Sequence, residues 1–80
     1  MSGARERADV ERLRTESGRL RAEIAALDEE SARLAAAGAA RRLTADERQR
    51  VAALSWTGRR LFLEVRRLRA AFDALRTPAT

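Results

Sequence analysis

The sequence predicts an all-α fold: two long helices forming an antiparallel coiled-coil hairpin, a unit able to dimerise into a four-helix bundle. Three observations predict it. Val10, Leu13, Ser17, Leu20, Ile24, Leu27, Ser31 and Leu34 follow alternating steps of three and four residues. Val51, Leu54, Gly58, Leu61, Val65, Leu68, Phe72 and Leu75 do the same. Such steps keep side chains on one stripe of an α-helix, and a sustained seven-residue repeat is the coiled-coil pattern. The strongest turn signals of the chain lie between the two ladders.

The first helix is expected over about residues 4–37. Its outer face is polar and carries opposite charges at helical spacing: Arg5–Asp9, Arg7–Glu11, Arg12–Glu16, Arg19–Glu23 and Glu29–Arg33. Such pairs contribute a few tenths of a kcal/mol each and mark a solvated face. Gly18 is a weak point, since glycine costs about 1 kcal/mol in a helix interior.

The connection is expected over 38–43. Gly38 suits the left-handed conformation that follows many helix C-termini. Thr44-Ala45-Asp46-Glu47 reads as a capping box, with Thr44 as N-cap and Glu47 returning to its backbone N–H. Asp46 and Glu47 also complement the positive end of the helix dipole. The second helix is then expected over about 44–76. Pro78 follows its end, where a helix cannot continue, and 77–80 should fray.

A turn centred near Arg41 sets the register of the hairpin. It places Ile24 opposite Gly58, Leu13 opposite Leu68 and Val10 opposite Phe72. Large residues then face small ones, which favours a hairpin over helices zipped separately onto other copies.

Composition bounds the function. Eighty residues make one domain at most, and a rod of two helices has a thin core. The sixteen ladder positions include two Ser and one Gly. The chain has no Cys and no His, which excludes a disulfide and argues against a zinc site. Self-association or a protein partner is the remaining way to bury more surface. No apolar run approaches the length of a transmembrane span, and the first residues lack the apolar segment of a secretory signal. A cytoplasmic protein is the expectation. Catalysis is not expected: there is no His, Cys or Tyr and no glycine-rich phosphate loop. The acidic run Asp28-Glu29-Glu30 fans around its helix and does not converge on a site. No cofactor and no metal are expected.

The net charge of +5 is unevenly placed. Residues 1–40 carry seven Arg against eight acids, and residues 43–80 carry eight Arg against four. The second helix also has apolar residues to spare. Trp56, Phe62 and Leu63 lie off its ladder, with Trp56 and Leu63 seven apart and so one above the other. Arg59 and Arg66 form one seven-spaced row beside them, and Arg60 and Arg67 another. Trp and Arg are enriched in the energetic centres of interfaces. The seven residues are the candidate partner-binding surface. It suits a protein with an acidic, partly apolar face, or a second copy of the chain completing a four-helix bundle. Nucleic acid is a weaker third reading. Asp46, Glu47, Glu64 and Asp73 interrupt the basic face, and no run of Arg precedes the heptads as in a basic leucine zipper.

Two resemblances bear on the partner. Trp56-Thr57-Gly58 resembles the W-x-G turn motif of small helical hairpins secreted by type VII systems. Here the triplet falls inside the expected second helix, and the C-terminal Tyr-x-x-x-Asp/Glu signal of that family is absent. A longer match covers residues 54–70. Leu54-Ser55-Trp56, Arg59, Leu61, Val65 and Leu68-Arg69-Ala70 resemble a helix of an actinobacterial anti-sigma family. Those proteins are antiparallel coiled coils that bind cyclic di-GMP and a sporulation-type sigma factor. The resemblance implies the scaffold and a sigma factor as partner. The family's ligand motif, E-x3-S-x2-R-x3-Q-x3-D, falls on Val51, Ser55, Gly58, Phe62 and Arg66, so only the serine is kept. This departure argues against nucleotide binding through that motif.

Overall fold

A computed structural model describes residues 2–76 of the chain. Helix α1 spans Ser2–Ala40 and helix α2 spans Ala45–Arg76, with no strand among the described residues. The two helices run antiparallel: Arg19 meets Glu64, Glu23 meets Arg60 and Glu30 meets Arg50. The result is a rod of 60 × 19 × 16 Å. Its radius of gyration is 18.1 Å, where a compact domain of this length would have about 12 Å. No helix among the described residues is long and apolar enough to cross a membrane. The fraying expected of 77–80 lies outside the described residues.

Helix α1 continues three residues past its expected end, and Gly38 lies inside it. No glycine among the described residues has a positive φ. Alanines surround Gly38 on both sides, and their helix propensity outweighs one glycine. The chain leaves the helix only after the Arg41 N–H has donated to the Ala37 carbonyl at 2.9 Å. Nothing in the packing requires glycine at 38. A Cβ there would lie 3.6 Å from the Leu43 side chain, which folds back over it.

The ion pairs Glu23–Arg60 and Arg19–Glu64 keep close to the expected register, and Leu13 and Leu68 line one hollow as expected; the departure is at Gly58. Gly58 receives Leu27 rather than Ile24. The Leu27 Cδ2 lies 3.7 Å from where a Gly58 Cβ would stand, and no other side chain comes within 4 Å of that point. The large-over-small complement is kept, one helical turn closer to the connection.

The capping box forms. The Thr44 N–H donates to the Glu47 carboxylate at 2.8 Å, and the Glu47 N–H donates to the Thr44 hydroxyl at 3.1 Å. Arg41 adds two bonds of 2.8 Å to the same carboxylate. The Arg48 guanidinium covers the Leu43 carbonyl at 2.8 Å. The backbone of the turn is thus satisfied by its own side chains, as a helix start requires.

The seam of the hairpin is skewed. In heptad terms Val10, Ser17, Ile24 and Ser31 are a positions of α1, and Val51, Gly58, Val65 and Phe72 those of α2. The remaining ladder residues are d positions. The buried residues are Leu20, Leu54 and Leu61, all at d. The g flank is the more closed: Asp9, Glu23, Glu30 and Ala37 of α1 and Thr57, Glu64 and Ala71 of α2 are half-buried, whereas Glu16 and Arg50 are exposed. The e flank is open: Arg14, Arg21, Asp28 and Ala35 of α1 and Ser55, Phe62, Arg69 and Arg76 of α2 are all exposed. All three ion pairs between the helices use g residues. Arg50 reaches Glu30 at 2.5 and 2.8 Å, Arg19 reaches Glu64 at 3.3 Å, and Arg60 reaches Glu23 at 3.8 Å. On the e flank α2 carries Ser55, Phe62, Arg69 and Arg76, with no carboxylate at an e position to face Arg14 and Arg21. Attraction along one side and its absence along the other rotate the helices toward the g flank. Long ion-paired stems then cover that side of the core.

On the outer face of α1 the local pairs regroup. Arg19–Glu23 forms at 3.0 Å as the spacing predicts. Arg12 turns back to Asp9 instead of forward to Glu16, and Arg14 approaches Glu11 at 3.5 Å.

Candidate docking surface

Helix α2 continues without interruption from Ala45 to Arg76, so every off-ladder residue in it has a fixed bearing. Successive residues are about 100° apart around the axis, which puts Trp56 and Leu63 at f positions, on the side directly away from α1. Both are open to solvent, Trp56 at 70% and Leu63 at 59% exposure. Phe62, 61% exposed, is an e residue and faces the open flank. Between Phe62 and the Trp56–Leu63 ridge run Arg59 and Arg66, at b positions.

The arginines are used in two ways. Arg59 stands over the Trp56 ring, 5.2 Å from its centre, and Arg66 stands over Phe62 at 5.9 Å. Such stacking restrains the guanidinium and leaves its edge available for a carboxylate. Arg60 and Arg67 lie on the other shoulder. Arg60 is engaged within the hairpin, with Glu64 at 2.7 Å and Glu23 at 3.8 Å. Arg67 lies by Glu16 and Glu64 at a small hollow on the closed flank. Of the seven residues expected to act together, the structure groups Trp56, Arg59, Phe62, Leu63 and Arg66 into one surface. It sets Arg60 and Arg67 apart, Arg60 as a strut of the hairpin.

Trp56-Thr57-Gly58 lies in the interior of α2, far from the turn at 41–44. The Thr57 hydroxyl donates to the Ala53 carbonyl at 3.2 Å, an ordinary helical back-bond.

A second feature escaped the sequence reading. On the open flank near the turn the helices part over a groove of about 430 Å³. Leu27, Leu34, Leu43, Val51 and Leu54 give it an apolar floor, and Asp28, Ser31 and Ser55 stand at its edge. Beyond it, Gly58, Arg59, Phe62 and Leu63 line a shallower depression. Leu27 touches Gly58 and so joins the two. The signal for this groove is in the heptads. The g positions carry charges that match across the seam, whereas Ala35, Ser55 and Phe62 at e carry none. The positions matching the anti-sigma ligand motif, Val51, Ser55, Gly58, Phe62 and Arg66, all fall on this flank or its border. Here the flank is apolar, and the Ser55 hydroxyl donates to the Val51 carbonyl at 3.2 Å.

Among the described residues no group of three or more Asp or Glu is placed to hold a metal ion. Two carboxylates are held below their ordinary range. Glu47 is lowered to about 2, chiefly by its bonds from Arg41 and then by the Thr44 backbone. Glu30 is lowered by its bond from Arg50. Both serve the hairpin rather than a reacting centre. No protein-family model, curated protein or solved structure matches the chain.

Proposed function

We propose that the chain is a small, non-enzymatic coiled-coil binding protein of the cytoplasm that docks a protein partner on the outer face of α2. Trp56 and Leu63 are the apolar anchors, with Phe62 at the margin. Arg59 and Arg66 receive carboxylates of the partner. The observation that carries this reading is the pairing of Trp56 and Arg59. A large aromatic ring, 70% exposed, is held under a guanidinium on the side of α2 that the hairpin does not use. Isolated exposed apolar residues need no explanation, but Trp56, Leu63 and Phe62 exposed together on one stretch of α2, with arginines stacked on the two rings, suit an interaction site. The resemblance of residues 54–70 to the anti-sigma helix makes a sigma factor the first partner to test.

Trp56 is the one tryptophan of the chain, so its emission reports directly on docking. Titration with a purified sporulation-type sigma factor that lacks tryptophan at its contact surface should shift that emission to the blue. Trp56→Ala and Leu63→Ala should weaken capture of the same partner at least tenfold while circular dichroism stays unchanged. A partner held equally well by both variants would refute the assignment of this face.

A further inference from the structure

The open flank near the turn has a different character from the Trp56 ridge. The chain exposes 6702 Å². A folded monomer of 8.9 kDa would expose about 4,800 Å². The excess, about 1,900 Å² on one chain, is more than the roughly 800 Å² that each partner of a standard protein interface buries. It is not spread evenly, because the closed flank is sealed by ion pairs and the open flank leaves core leucines showing through a groove.

We infer that a second copy of this chain covers the open flank, packing α1 of each hairpin on α2 of the other about a two-fold axis along the rod, with both turns at one end. Charge selects this pairing. Near the turn the open side of α1 carries Asp28, and the open side of α2 carries Arg59 beside Phe62. Setting α1 on the partner's α2 brings opposite signs together, and the reversed arrangement sets α2 on α2. Asp28, at the edge of the groove, forms no ion pair within the hairpin, so its carboxylate is available to a second copy.

Size selects the same pairing. Near the turn the open side of α1 carries Ala25, Ala32 and Ala35 around Asp28; Gly18, where a Cβ would meet nothing within 4 Å, and the arginines Arg14 and Arg21 lie further along. The open side of α2 projects Val51 and Phe62, 40% and 61% exposed. A two-fold places the bulky side of each α2 on the smooth side of the other α1, a self-complementary contact. Trp56 and Leu63, on the far side of α2, stay outside this interface. Phe62 belongs to both surfaces, so the two assignments are told apart by Trp56 and Leu63, which only docking uses, and by Val51 and Ser55, which only the dimer uses.

Sedimentation equilibrium of the intact chain tests it. The expected mass is twice 8.9 kDa. Val51→Glu and Ser55→Glu, which set a carboxylate beside Asp28 in the groove, should each weaken the dimer at least tenfold. Trp56→Ala and Leu63→Ala should leave it intact. Because the chain has no cysteine, Ala40→Cys carries a single spin label next to the turn. Turns at one end place the two labels within about 35 Å, a few helix diameters. Opposed turns separate them by about the length of a helix, roughly 50 Å. A monomeric wild type, a dimer indifferent to both groove substitutions, or labels a helix length apart would each overturn the inference. Should Val51→Glu lose helicity, Ser55→Glu and the label distance still decide.

Discussion

Arg41 and Glu47 clasp the turn with two parallel bonds of 2.8 Å, so the residue that leaves α1 is tied to the residue that caps α2. Arg41 stands just outside one helix and Glu47 in the first turn of the next. The clasp holds the Glu47 carboxyl at a pKa of about 2, against an ordinary value of 4.5. A carboxylate whose pKa is depressed by folding stabilises the fold fully above its unfolded pKa. That contribution is lost as pH falls from about 4.5 through about 2. Thermal melts of the wild type should therefore fall steeply over this window. Glu47→Gln keeps a capping side chain but removes the charge, so its melting temperature should be lower at neutral pH and flatter toward acid. An acid limb of equal slope in both proteins would count against the clasp.

Thr44→Ala removes the acceptor for the Glu47 N–H while leaving the clasp in place. Loss of a threonine N-cap typically costs about 1 kcal/mol. Urea denaturation should show that loss as a lower midpoint with an unchanged slope. Thr44→Ser should recover most of it.

Gly18 and Gly38 both lie within α1 at ordinary helical φ. Alanine at Gly18 meets no neighbour, and alanine at Gly38 makes ordinary contact with Leu43. Each substitution should stabilise the hairpin by about 0.5–1 kcal/mol, through helix propensity and a less flexible unfolded chain. Differential scanning calorimetry would read both as a higher melting temperature. A drop at Gly38 would mean that Leu43 cannot tolerate the added methyl.

Leu61 and Phe62 are neighbours in sequence with opposite roles. Leu61 is 2% exposed and Phe62 is 61% exposed. Leu61→Ala should cost about 2–5 kcal/mol, the range for a buried leucine. In so thin a core that is enough to unfold much of the population. Phe62→Ala should change stability by under about 0.5 kcal/mol at concentrations where the chain is monomeric, and by more where a second copy covers the ring. Comparable losses at the two positions would mean that Phe62 is already covered in solution.

Much of this was legible in the sequence. The ladders locate both helices because seven-residue spacing leaves no other regular structure consistent with them. Thr44 and Glu47 mark the start of α2 because a capping box has a fixed spacing. The end of α1 was not legible, since Gly38 signals a C-cap while its alanine neighbours favour helix, and the packing of Leu43 decides between them. The partner of Gly58 was not legible either. Trp56 and Leu63 could be placed on the outside from spacing alone, but the stacking of Arg59 and the engagement of Arg60 could not. Two adjacent arginines look alike in a sequence. Only the register of α1, which sets Glu23 beside Arg60, separates them. The open flank required comparing e with g positions on both helices at once.

The crowded chemistry of the turn has a kinetic consequence. Every bond of the clasp and the cap joins residues no more than six apart, so closing this end costs little chain entropy. The first interhelical ion pair beyond it, Arg50 with Glu30, spans twenty residues and lies further along the rod. Folding should therefore start at the connection and zip toward the termini, and fluctuations should open the rod from its far end. Amide exchange would show this as protection that declines from the clasp outward, with residues near Val10 and Phe72 exchanging well before those near Leu54.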